Sequence, residues 1–387
     1  MKKFYLFALL SLLTCCIGKK QKVQVEGETM DTKTVSTQPF YFSYLNNFSS
    51  LNNADKSLLK LFKNIPNQLD QTILFTRASE PDIKFIDEEN YYLMVFEGLI
   101  ENTSNHLSNW AIFSASSPDG VSWEYLNEGR PIISIKDSFF EKYLFVAEPA
   151  ILKLNDRFVL FTTANQKNEK SITSFDLIYS ESLDGVKWEN HQVVLDPTSR
   201  VDVDTRNVFK DNTIRHCSNY QYKSFSEPTA TTIENRLYLI GEIELISQET
   251  NCQNNLRVIG GGYLSNGSLN ELKVLYSHHG DIAGPSIYLQ ENGFLYVSTS
   301  VTNGASQIIN LEILIEDMEV IEDEFTELNF KSFPIKKIGD YSFVRFYEPA
   351  TFWINGELNY KFGCYYQYQN KLLGGLVSYS QSQGWFF

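Results

Sequence analysis

The sequence predicts an all-β protein, a five-bladed β-propeller with four-stranded blades. Two observations predict it. A Glu-Pro pair followed by an apolar run recurs as "SEPDIKF" at Glu80, "AEPAILKL" at Glu148, "SEPTATTI" at Glu227 and "YEPATFWI" at Glu348, and "AGPSIYL" at Gly284 completes the series. The intervals are 68, 79, 57 and 64 residues. Between copies, further strand-like runs alternate with turns, and a repeat of this length with four short strands reads as one propeller blade. At 387 residues, 43 % hydrophobic and 21 % charged, the chain is globular in composition. Propellers exceed the usual domain length as single units.

The elements follow in chain order. "MKKFYLFALLSLLTCC" carries two lysines, a ten-residue apolar run too short to span a bilayer, and Cys15 and Cys16. Residues 1–16 resemble a bacterial lipoprotein signal. The resemblance implies lipidation of Cys16 or Cys15 and an exported protein held at the outer membrane or cell surface. A plain secretory signal, giving a periplasmic or secreted protein, is the alternative. Residues 17–50 read as a flexible tether and 51–70 as a short helical segment stopped before Pro66. No other segment is long and apolar enough to cross a membrane.

Residues 71–387 form the propeller. Each Glu-Pro or Gly-Pro opens the innermost strand of a blade. A second strand follows ("NYYLMVFEG", "DRFVLFTTA", "NRLYLIGEI", "NGFLYVSTS", "GELNYKFGCYY"), then a third. A fourth is legible after the first four copies, as "RPIISI", "HQVVLDP", "LKVLYS" and "FKSFPIKK". The last copy lacks one, and "QTILFTRAS" (71–79) is expected to supply it, joining the last blade and closing the ring. "SPDGVSW" and "SLDGVKW" mark third-to-fourth turns, where Asp-Gly provides the positive φ of a tight hairpin and Trp123 and Trp188 pack between blades.

The first strand of a blade lines the central channel, so the Glu-Pro sites form a ring of carboxylates at one mouth. Proline is tolerated there because the innermost strand has an unpaired edge. Each glutamate is either a structural acceptor for a neighbouring blade's N–H groups or a catalytic carboxylate. Glycoside hydrolysis needs two carboxylates flanking the bond, and clustered acids raise one another's pKa.

The arrangement resembles the five-bladed glycosidases, namely the arabinanase and β-xylosidase family and the invertase and levansucrase families. There an acidic residue near the start of the inner strand in each of the first three blades makes the site. The resemblance implies an inverting glycosidase with Glu80 as base, Glu148 as the tuning residue and Glu227 as general acid. It departs from those families in having Glu-Pro where they have Asp-Pro in the first two blades. Arg77, Glu97, Glu242, Arg345, Glu348 and Tyr366 reach the same mouth as candidate substrate-binding groups, the two arginines alternatively pairing with carboxylates. Glu244 and Tyr365 stand beside them.

Cys217 and Cys252 lie in loops on the mouth face and are a candidate disulfide; the alternative is that these and Cys364 are free core thiols. The polar insertion 199–225 would shape specificity. No histidine pair has metal-ligand spacing with a third ligand, and neither a metal nor another cofactor is expected. The net charge of −14 argues against a nucleic-acid partner. The expected partner is an oligo- or polysaccharide, with membrane contact only through the N-terminal lipid. Two functions are compatible with these features. One is a glycoside hydrolase-like enzyme, the other a non-catalytic surface propeller that binds glycan or a partner protein.

Overall fold

A computed structural model describes residues 75–386 apart from 101–109, 167–174, 207–216, 251, 270, 278–281, 290–293, 302–306, 315–317, 328–336, 339–340, 355, 369–370 and 381–383. The signal, tether and helical segment expected in residues 1–70 lie outside the described residues. No described helix is long and apolar enough to cross a membrane.

The described chain folds into five antiparallel blades. Blade one contains β1 (Phe75–Ile86), β2 (Tyr91–Ile100), β3 (Trp110–Ser117), β4 (Glu124–Tyr125) and β5 (Ile133–Ser134). Blade two contains β6 (Tyr143–Leu154), β7 (Arg157–Gln166), β8 (Asp176–Ser182) and β9 (Glu189–Leu195). A short strand, β10 (Asp202–Asp204), runs parallel along the outer edge of blade three. That blade is otherwise β11 (Gln221–Ile233), β12 (Arg236–Ile246), β13 (Asn255–Tyr263) and β14 (Glu271–Tyr276). Blade four contains β15 (Ile282–Leu289), β16 (Phe294–Val301), β17 (Gln307–Leu314) and β18 (Glu319–Glu327). Blade five contains β19 (Lys337–Ile338), β20 (Tyr341–Ile354), β21 (Glu357–Tyr368), β22 (Lys371–Ser380) and β23 (Gly384–Phe386).

Apolar side chains on both faces of each blade are buried against its neighbours, which is why the strands read as near-continuous hydrophobic runs. Leu93, Val95, Ile151 and Leu160 join blades one and two. Val159, Phe161, Leu239 and Val258 join blades two and three, and Ile240, Ile259, Ile287 and Val297 join three and four. The two Asp-Gly turns are structural. Asp119 and Asp184 each accept two backbone N–H groups of their own turn, and Trp123 Nε1 donates to the Gly120 carbonyl.

Closure of the ring departs from the sequence expectation. Residues 75–79 are the first half of β1 and pair with β2, Ser79 opposite Glu97. They do not join the last blade, whose outer strand is the C-terminal β23, paired with β22. The physical reason is that Glu80-Pro81 interrupts β1 without starting it. The ring closes instead through packing: Ala78, Met94 and Phe113 of blade one bury against Ala350, Phe352 and Leu376 of blade five. Tyr92 donates its hydroxyl to the Trp353 carbonyl at 2.5 Å. The buried Lys361 of blade five donates to Ser378 and lies 5.3 Å from the Trp123 ring centre. A second departure concerns the outer strand of blade four, which is β18; "FKSFPI" lies outside the described residues.

A candidate active site inside the propeller channel

Every Glu-Pro sits in mid-strand, so Glu80, Glu148 and Glu227 lie inside the channel and not at its rim. In blades one to four the register slips at this point. Glu80-Pro81 faces Phe96 alone, Glu148-Pro149 faces Thr162, Glu227-Pro228 faces Gly241 and Gly284-Pro285 faces Thr299. Two residues opposite one is a β-bulge. Proline suits it because a bulge residue has no ladder bond to donate. The residue before proline is kept out of the right-handed helical region, and here it takes positive φ: 49° at Glu80, 53° at Glu148, 50° at Glu227 and 60° at Gly284. For an L-residue that backbone costs on the order of 1 kcal/mol, which glycine avoids.

At Glu148, Glu227 and Gly284 the bulge turns the N–H toward the preceding blade, where a carboxylate receives it. Glu148 N donates to Glu97 Oε2 at 3.3 Å. Glu227 N donates to Glu148 Oε2 at 2.9 Å, and Gly284 N to Glu227 Oε2. A second tier lies two to three residues further along. Ile151 N donates to Asp82 Oδ2 at 2.8 Å, and Thr351 N to Ser286 Oγ at 2.9 Å. Acidic and hydroxyl side chains thus tie successive innermost strands, which share no sheet.

Glu80, Glu148 and Glu227 line one small cavity with all five prolines, Asp82, Gly284 and Ser286. The open space is about 20 Å³, enough for a water molecule and far too small for a sugar ring. Residues from the second strands stand beside it. Glu97 is buried and accepts the Ser79 hydroxyl at 2.6 Å. Thr163 donates its hydroxyl to Glu148 Oε2 at 2.6 Å. The buried Glu242 is bound by Arg257 Nη1 at 2.9 Å, and Glu244 by Lys223 Nζ at 2.6 Å. Burial pushes the Glu148 carboxyl up to about 7, helped by the negative charge of Glu97. The Glu227 N–H, the Thr163 hydroxyl and the Arg257 charge act in the opposite direction.

No family model matches the sequence, and no curated protein matches it. Solved structures do. A glycoside hydrolase superposes with a TM-score of 0.51 at 10 % identity, over 78 % of this chain and 87 % of its own. The inulosucrase of Halalkalicoccus jeotgali, bound to kestose, superposes with a TM-score of 0.50 at 14 % identity, over 80 % of this chain and 87 % of its own. The chain has a glycoside hydrolase-like propeller fold. At these identities the likeness speaks for the fold alone.

Of the residues singled out from sequence, the structure brings together Glu80, Glu148, Glu227, Glu97 and Glu242. Arg77 and Arg345 stand on the mouth-side halves of β1 and β20, opposite Leu99 and Tyr365. Tyr366 pairs opposite Phe343, and Glu348 occupies the bulge of blade five. Cys217 and Cys252 are joined by a disulfide with a Cα–Cα distance of 5.2 Å. Cys15 and Cys16 lie outside the described residues.

Asp82, Thr163 and Arg257 were not picked out from the sequence. Asp82 carried a signal, since it stands two residues after Glu80 where the next two blades have Ala150 and Thr229. Arg257 carried one too, at the mouth end of a third strand.

Proposed function

We propose that the chain is a carbohydrate-active propeller, a glycosidase in which Glu148 donates the proton to the leaving oxygen. The observation that carries this reading is the convergence of three glutamates from successive blades on one cavity, where burial pushes the middle carboxyl up toward neutrality. A general acid must hold its proton at the working pH. The acid and tuning roles expected for Glu227 and Glu148 therefore exchange. Glu80 serves as base, with the attacking water in the cavity and the sugar ring bound on the mouth side above it. This is inverting chemistry.

A second reading has a specific observation in its favour. Glu97, Glu148 and Glu227 all accept backbone N–H groups of the next blade, as purely structural carboxylates would. On that reading the mouth binds a glycan without cleaving it. One experiment separates the two: a panel of aryl glycosides and neutral oligosaccharides, incubated with the wild type, Glu148→Gln and Glu227→Gln, with binding followed by calorimetry. The glycosidase reading expects turnover of at least one oligosaccharide and its loss by roughly 10²–10⁴-fold in Glu148→Gln. Aryl glycosides with good leaving groups should suffer less, since they need less protonation. Binding without turnover supports the second reading, and turnover that survives Glu148→Gln removes Glu148 from the acid role.

A further inference from the structure

We propose that Arg257 is the positioning residue of the acidic cavity: its guanidinium holds Glu242 on blade three and supplies a fixed positive charge against the glutamates around it. As a statement about catalysis this rests on the reading of Glu148 as proton donor; as a statement about charge it does not.

The geometry is specific. In the β12–β13 ladder Arg257 stands directly opposite Glu244. A simple cross-strand pair would join those two. Lys223 occupies Glu244 instead, at 2.6 Å, and Arg257 reaches diagonally to Glu242, at 2.9 Å from Oε1 and 3.1 Å from Oε2. Glu242 is two residues closer to the cavity and pairs with Ser226, the neighbour of Glu227. Both members are largely shielded, with side-chain exposures of 19 % and 4 %. The diagonal therefore brings a permanently charged group toward the acidic cavity from blade three, while on blade one Lys84 holds the cavity-lining Asp82 at 2.9 Å and Lys223 holds Glu244 further along. A guanidinium does not deprotonate in proteins, so the charge is constant over the working pH range.

The groups that surround Glu148 make the need for it clear. Glu80 and Asp82 of β1 and Glu227 of β11 line the same cavity, Glu97 of β2 lies close by, and Thr163 of β7 binds the carboxylate directly. Four of these five are acidic. Arg257 acts on Glu148 in the opposite sense to Glu97. Loss of the Arg257 charge would leave Lys84 as the nearest cation bound to a cavity-lining carboxylate and would raise the Glu148 carboxyl further.

The test compares wild type, Glu148→Gln, Arg257→Gln and the double variant Arg257→Gln/Glu148→Gln by thermal unfolding between pH 5 and 9. Within each pair, the pH dependence of the difference reports the titration of Glu148 together with the acids coupled to it, and its midpoint is compared between the two backgrounds. The midpoint in the Arg257→Gln background should lie about one pH unit higher, a tenfold gain in proton affinity. Arg257→Lys, which keeps the charge, should return the midpoint most of the way to the wild-type value. Coincident midpoints in the two backgrounds overturn the proposal, as does a lysine variant that behaves like glutamine.

If Arg257→Gln does not fold, Glu242→Gln replaces it. Arg257 then acts without its counter-charge and the midpoint should fall, so an unchanged midpoint again overturns the proposal. With a hydrolysed glycoside in hand, the alkaline limb of kcat/KM should follow the same shifts. A wild type that hydrolyses nothing sinks the catalytic reading and leaves the midpoint comparison valid. Hydrolysis that depends on Glu148 with coincident midpoints sinks only the role of Arg257.

Discussion

Replacing Glu148 by glutamine should make the propeller less sensitive to alkali. The carboxyl sits at about 7 in the folded chain against an ordinary 4.5. Between those values the folded state keeps a proton that the unfolded chain has released. Stability therefore falls as pH rises from 4.5 through 7 and is lowest above 7, with no loss below 4.5. The gap corresponds to about 3 kcal/mol at full development. Glutamine has no such titration, and its amide oxygen can still accept the Glu227 N–H and the Thr163 hydroxyl. The stability of Glu148→Gln relative to wild type should thus rise by about 3 kcal/mol between pH 4.5 and 8. At about 2 °C per kcal/mol for a domain of this size, that is a relative gain of roughly 6 °C in Tm. Scanning calorimetry of both proteins at half-unit pH steps reads the difference, which includes the response of the acids coupled to position 148. A difference that stays flat from pH 4.5 to 8 would refute the reasoning, and so would one that changes in the opposite direction.

Three further perturbations have defined outcomes. Asp82→Ala removes the acceptor of the Ile151 N–H in a buried position, and should destabilise the fold by about 1–3 kcal/mol in urea titrations. Asp82→Asn, which keeps an acceptor, should lose less. Truncation after Ser380 removes β23 and bares the edge of β22; lower Tm and concentration-dependent association in light scattering are expected. The disulfide closes a loop of 35 residues, so Cys217→Ser/Cys252→Ser should cost up to about 4 kcal/mol by the chain-entropy argument. A reducing agent should reproduce that loss in the wild type and leave the double variant unchanged.

Much of the fold was legible because the repeat is physical. Each blade must present apolar residues on both faces, and the Glu-Pro or Gly-Pro pair marks a register slip in every blade, with positive φ in the first four. What the pair does was misread. Glu80-Pro81 looks like the start of a strand because proline cannot donate to a ladder. A bulge satisfies the same constraint in mid-strand, so residues 75–79 stay with blade one and the glutamates move inward. The three-residue β23 is too short to announce itself by alternation.

At the site, Glu80, Glu148 and Glu227 were legible from their place in the repeat. Their hydrogen bonds were not, because each depends on the N–H of a residue 51 to 79 positions away. Arg257 was missed for a related reason. Its partner is set by the diagonal of a ladder and by Lys223 occupying Glu244, and spacing along the chain carries neither fact.

The most direct test of the glycosidase reading is a crystal structure of Glu148→Gln with the oligosaccharide that the binding panel selects. A sugar ring is expected on the mouth side of the cavity. The glycosidic oxygen should lie within about 2.6–3.2 Å of the side-chain amide at position 148, with a water held beneath the ring beside Glu80. A glycosidic oxygen placed against Glu227, or a saccharide bound away from the channel, would contradict it.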